Sequence, residues 1–185
     1  YSVESGGDPK DIPNLTYEQF LDFHRTFYHP SNSYIYLYGD MDMAQKLDWL
    51  DREYLSKYDH KEIDSEIQYQ KPFDEIRELR VPYSVTEDQP TDHAAYLSLN
   101  MVIDDKIDST LHIGLQVLEY VLLDAPGAVL KRELVKAGIG DDIYGGYDSG
   151  MRQPYFSVVA KDAEEGQKED FLRIIRETLE KTAKE

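Results

Sequence analysis

The feature that most constrains this chain is a polar stretch from Asp59 to about Arg77 in which the hydrophobic period disappears. Ile63, Ile67 and Tyr69 punctuate it without helical or alternating spacing. Such a stretch separates folding units, so residues 59–77 are assigned as a linker between a block at 1–58 and a block at 78–185. The first block holds one strand-like run, Tyr34-Ile35-Tyr36-Leu37-Tyr38, closed by Gly39-Asp40. One strand makes no sheet, which places its partners upstream of Tyr1. No basic n-region or apolar signal core accompanies Tyr1, so the sequence reads as an internal piece of a longer protein.

Around that strand the first block is helical. Thr16 and Gln19 form a capping-box pair, and Tyr17, Phe20, Leu21, His24, Phe27 and Tyr28 recur on one face until Pro30. Asp42 caps a second helix with a stripe of Met43, Leu47, Leu50, Tyr54 and Tyr58. In the second block, 78–85 and 94–103 read as strands, the latter with Leu97, Leu99, Met101 and Ile103 alternating with polar residues. Asp108 caps a helix apolar nearly all round, expected to be buried and central. Pro126-Gly127 breaks the chain before a helix at 129–137 that Gly138 ends. A Gly- and Tyr-rich stretch, 143–150, leads to a strand at 155–160, and Phe171, Leu172, Ile175 and Leu179 mark a last helix. The expected class is α+β, with helices packed on one face of a mostly antiparallel sheet and both units incomplete.

Composition removes several functions. The 185 residues carry 37 acidic and 20 basic side chains, a formal charge of −17, which disfavours nucleic acid and anionic membranes. No apolar run approaches the ~20 residues of a bilayer span. Without cysteine there is no disulfide, thiolate nucleophile or thiolate metal site. The 15 tyrosines favour a chain that packs against protein or peptide.

The five histidines lack metal-site spacing. Neither His-Glu-x-x-His nor its inverse His-x-x-Glu-His occurs, and His24 and His29 lie five apart, turned away from one another on a helix. His24 suits a core position on the apolar face, and His29 suits a helix C-terminal cap. Asp40-x-Asp42 lacks the Gly and the closing Glu of a calcium loop, and Asp104-Asp105 and Asp141-Asp142 suit turns. Gly138-x-Gly140 is a helix stop rather than a dinucleotide fingerprint. Gly145-Gly146 reads as a bulge or tight bend, with close approach of a peptide backbone as the alternative.

Against this sparse chemistry, a resemblance adds sharper content. The run from Tyr1 through Gly6-Gly7-Asp8-Pro9 to Thr16-Tyr17-Glu18 resembles the presequence-protease branch of the pitrilysin/insulinase zinc peptidases. So do Phe23-His24, Tyr28-His29-Pro30-Ser31-Asn32 and Tyr38-Gly39-Asp40, in the same order. Asp124-Ala125-Pro126-Gly127-Ala128 to Ala137-Gly138-Ile139-Gly140 is similar to the matching helix-turn element of a next homologous unit.

The resemblance implies a clamshell of related α+β units closing on unfolded peptides, with zinc held by His-x-x-Glu-His and a downstream Glu. That machinery lies upstream of the matched segment, so catalytic and metal residues are expected to be none in this chain. Residues 1–58 would then be the C-terminal part of a first unit and 78–185 the N-terminal part of a second, non-catalytic one. Gly6, Gly7 and Asp8 become candidates for a substrate-binding chamber loop. The implied role is a non-catalytic piece of a metalloendopeptidase supplying chamber wall and interdomain packing. The alternative is an inactive peptide-binding or assembly module of the same fold; an independent zinc enzyme built on His24 and His29 is opposed by their spacing. Implied partners are the remaining domains of the parent protease and its peptide substrates, with self-association of the piece through exposed apolar surface. Zinc belongs to the parent, and the implied compartment is the cytoplasm in a bacterium or an organelle matrix in a eukaryote.

Overall fold

The computed structural model describes residues 6–103 and 107–184; Tyr1–Ser5 of the matched run and the Asp104-Asp105 turn lie outside them. The chain divides into two compact units, Tyr1–Gln70 and Lys71–Glu185.

In the first unit, helix α1 spans Tyr17–Phe27 and helix α2 spans Met43–Glu53. Both begin where the cap residues demand. Thr16 Oγ1 accepts from the Gln19 backbone N–H at 3.2 Å while Gln19 Oε1 accepts from the Thr16 N–H at 2.8 Å. Asp42 Oδ1 accepts from the Gln45 N–H at 3.1 Å. Pro30 then opens a short 3-10 turn, Pro30–Asn32. The Lys61 N–H donates to Ser31 Oγ at 3.1 Å, and Ser65 Oγ donates to Asn32 Oδ1, folding residues 61–65 back on that turn.

The expected strand at 34–38 is corrected: these residues form no strand. β-rich composition needs a hydrogen-bonding neighbour to become a strand, and none of the described residues supplies one. Tyr34, Tyr36 and Tyr38 stay 105%, 85% and 85% exposed, and no described residue of this unit is buried.

The second unit has a real core. Strands β1 (Ala95–Val102), β2 (Asp142–Asp148) and β3 (Tyr155–Ala163) form an antiparallel sheet in the order β1-β3-β2. Leu97, Phe156, Val158, Ala160 and Ile143 point to one face. On that face pack α3 (Ser109–Glu119), α4 (Val129–Lys136) and α5 (Lys168–Thr182), which bury Leu115, Leu130, Leu134, Phe171 and Ile175. The chain is α+β, and the helices of the second unit lie on one side of its sheet.

Several devices hold this arrangement. Asp108 Oδ1 caps α3 at the Leu111 N–H, 2.8 Å away. A π turn, Tyr120–Asp124, continues α3, and the Ala125 N–H reaches back to the Tyr120 carbonyl at 2.7 Å. That turn brings the adjacent Leu122 and Leu123 both inward, each 2% exposed. Gly138, at φ 69, ends α4, and Gln167 Nε2 donates to its carbonyl at 2.8 Å. Gln167 Oε1 also accepts from the Glu164 N–H, so one amide side chain joins the end of α4 to the start of α5.

Three further expectations are corrected. Residues 78–85 form no strand, again for want of a ladder partner. The helix after Asp108 is not buried all round: Leu111, Ile113, Val117, Leu118 and Val121 are at least 43% exposed because the sheet covers only one side of it. The Gly145-Gly146 pair is neither bulge nor bend but lies in register inside β2, opposite Val158 and Ser157. The run 109–136 is long and apolar enough to cross a membrane by length and composition. It is not one helix, however: it breaks at 125–128, and its buried leucines serve the core.

The core assigns unequal weight to apolar residues of similar size. In urea melts followed by circular dichroism, Phe171→Ala is expected to cost about 3–5 kcal/mol. Leu111→Ala, on the open side of α3, should cost under about 1 kcal/mol.

Candidate functional site

Gly6, Gly7 and Asp8 lead into a turn at residues 9–11 and a short 3-10 helix, Ile12–Asn14. Gly6 and Gly7 adopt φ 86 and 90, a region that strains any residue with a Cβ. A Cβ on Gly7 would also lie 3.2 Å from Ile12 Cγ1. The Asp8 carbonyl accepts from the Asp11 and Ile12 N–H groups, and its Oδ1 accepts from the Lys10 N–H at 2.8 Å. Local backbone bonding accounts for all three residue types.

The histidines do not converge. His24 is exposed and stacks on Tyr28 at 4.6 Å, which corrects the expected core position. His29 caps the turn that follows rather than the helix that precedes it: its Nδ1 accepts from the Ser31 N–H at 3.2 Å. His112, half-buried, lies 3.3 Å from the Tyr147 hydroxyl. Among the described residues no three His, Asp or Glu side chains come together as a metal site requires, so they do not fit a zinc ion.

Two recesses stand out. In the first unit, Phe23, Phe27, Ile35, Trp49, Tyr54 and Tyr58 help line an open aromatic trough of about 1040 Å³. In the second, a shallower groove of about 480 Å³ runs along β2 past Glu119, Tyr144, Gly146, Asp148 and Ser157. Sequence reasoning missed the groove because paired glycines read as a break. The available signal was the alternation of Ile143 and Tyr147 across them, which keeps the strand's inward face. The glycines are needed because neighbouring atoms come close: a Cβ on Gly145 would sit 2.1 Å from the Ser157 carbonyl oxygen, and one on Gly146 would sit 2.8 Å from Glu119 Oε1.

The sheet face away from the helices is open, carrying Tyr96, Ser98, Asn100 and Val102 from β1 and Tyr144 and Asp148 from β2. The shifted titrations lie on solvent-exposed groups. The hydrogen bond from Arg132, then that from Lys136, lowers the Glu133 carboxyl, while bonding to Glu78 raises the Lys168 ammonium. Asp162, followed by Tyr96, raises Lys161.

Over residues 14–185 the sequence matches the family described as "Peptidase M16 inactive domain". The chain belongs to the M16 (pitrilysin) peptidase family. It is 44% identical over 179 residues to Protein HypA of Clostridium perfringens, an alignment covering 97% of this chain and 18% of HypA. It is 35% identical over 189 residues to presequence protease 1, chloroplastic/mitochondrial, of Arabidopsis thaliana, covering 100% of the chain and 17% of that protein. The mitochondrial presequence protease of Mus musculus is 32% identical over 190 residues, with 100% and 18% covered. The chain thus spans under a fifth of the length of these relatives. M16 peptidases are zinc-dependent in general, and this chain's relatives include bacterial, mitochondrial and chloroplast proteins.

Glycines of β2 and α3 yield a stability contrast. Gly145→Ala is expected to lower the melting temperature sharply, since its methyl group meets backbone. Gly114→Ala in α3, with nothing within 4 Å, should add about 0.5–1 kcal/mol.

Proposed function

We propose that this chain is a non-catalytic section of a zinc-dependent metalloendopeptidase that degrades unfolded peptides, and that it supplies chamber wall and interdomain packing. One observation carries this reading: a chain matching an inactive peptidase domain leaves large apolar faces open. Phe20, Phe23, Leu47 and Trp49 of the first unit and Val117, Leu118 and Val121 of the second are 43–62% exposed. Apolar surface on this scale marks interfaces, and the remaining domains of the longer protein are its partners. The open face of the β sheet, with its tyrosines and the free edge of β2, supplies wall against which an extended peptide can lie. Gly6, Gly7 and Asp8 are assigned to a loop of the same chamber. The zinc and its ligands belong to the rest of the protein, and the compartment is the cytoplasm in a bacterium or the organelle matrix in a eukaryote.

An inactive peptide-binding or assembly module of the same fold is the second reading, favoured by the match to a family described as an inactive domain. Metal analysis and cleavage of a long unfolded peptide separate the readings. The 185-residue chain is expected to hold no stoichiometric zinc and to cleave nothing, while the full-length protein holds zinc, cleaves the peptide and loses cleavage to a chelator. Zinc with chelator-sensitive cleavage in the short chain would overturn the proposal. An inert full-length protein would leave the assembly module standing. For the loop, Gly7→Val in the full-length enzyme is expected to reduce kcat/KM several-fold with the fold retained, and unchanged turnover would retire that assignment.

A further inference from the structure

Residues 71–94 contain no helix or strand, yet part of this run is fastened at defined points to one place on the second unit. Glu78 Oε1 accepts from Lys168 Nζ at 2.8 Å, and Arg80 Nη2 donates to Glu165 Oε2 at 2.7 Å. The His93 backbone N–H donates to Glu164 Oε1 at 3.2 Å, with the His93 ring 3.1 Å from the same oxygen. Between these points the Tyr83 hydroxyl donates to the Ala94 carbonyl, and the Tyr83 ring meets Tyr96 edge-on at 5.6 Å.

The anchors share two properties. All three polar ones fall within Glu164–Lys168, where the chain turns from β3 into α5. They also oppose in sign, an acid of the run on Lys168 and a base of the run on Glu165, so a slid register would set like charges together. Leu79 and Val81, between and beside the charged anchors, are 86% and 66% exposed. The run therefore lies on the unit by its charged side with aliphatic side chains turned outward, the reverse of ordinary packing.

We propose that residues 78–82 form an electrostatic strap, clasped in one register on the start of α5 by Glu78 and Arg80 and released by salt, while Tyr83 stays on β1 through uncharged contacts. Its partners are exposed, with side chains 39–83% accessible, so screening by bulk ions reaches every pair. No hydrophobic burial holds Leu79 or Val81 when the charges are screened. The strap sets how much chain lies between Lys71 and the first anchored residue of the second unit. Clasped, the run before the first anchor is 72–77, with a flexible end-to-end distance of about 13 Å; released, it extends to residue 82, next to Tyr83 on β1, with about 18 Å. The clasp therefore controls the reach of the chain between Lys71 and the core of the second unit without altering that core.

Spin labelling tests this cleanly, because the chain has no cysteine of its own. Nitroxides are placed at Leu79→Cys and Glu180→Cys, the latter about 18 Å along α5 from Lys168. Pulsed dipolar spectra are then recorded at 20 mM and 1 M sodium chloride. The expected result is a narrow distance distribution at low salt that broadens at least two-fold at high salt. Adding Glu165→Gln and Lys168→Gln should give the broad distribution at both concentrations, with circular dichroism and melting verifying that α5 still folds. A charge exchange, Glu78→Lys with Lys168→Glu, should restore the narrow low-salt distribution. A narrow distribution in 1 M salt, or in the neutralised variant, would overturn the proposal. So would a broad distribution in the parent at low salt.

Discussion

Every interstrand hydrogen bond of the described sheet has β3 as one partner, since β1 and β2 each pair with it and not with one another. β3 also supplies Phe156, Val158 and Ala160 to the core that the helices cover. It is the last of the three strands in sequence, so β1 waits for a partner that arrives more than fifty residues later. Helices α3 and α4 are laid down in that interval and must leave their apolar sides ready for a sheet that closes only when β3 pairs. The glycines of β2 serve the same strand: at Gly145 the Ser157 backbone of β3 approaches too closely for any side chain.

The first unit shows what happens without such a strand. Its helices begin at strong local caps, and its aromatic residues repeat at helical spacing, yet none of its described residues is buried. Capping and propensity define where a helix starts and stops; they do not by themselves provide a surface to pack on. The open trough around Phe23, Phe27 and Trp49 and the uncovered side of α3 have the same physical origin. Membership of the M16 family gives this exposure its meaning, because the chain corresponds to under a fifth of its relatives' length.

Among the described residues the candidate site is made of surfaces, with no clustered histidines. The exposed sheet face, the β2 groove and the aromatic trough present tyrosine, glycine and acidic side chains, while the histidines are dispersed among caps and stacks. Glu119 shows how position can matter more than residue type: it ends α3 yet reaches the Gly146 backbone at the edge of the sheet.

Much of the local structure was legible in the residues themselves. The caps at Thr16, Asp42 and Asp108, the stop at Gly138, the alternation of β1 and the final helix are set by side chains within a few positions of the backbone they satisfy. The family was legible as well, from Gly6-Gly7-Asp8 through Tyr38-Gly39-Asp40 and from the Pro126-Gly127 turn. Tertiary structure alone decided which β-rich runs became strands: Tyr34–Tyr38 and Glu78–Val85 stayed unpaired, while the glycine pair of 145–146 entered the sheet. It also decided which side of α3 met the core and where His24 and His29 came to lie. The physical reason is one of range. A helix satisfies its hydrogen bonds within four residues, whereas a strand and a buried face exist only through partners distant in the chain.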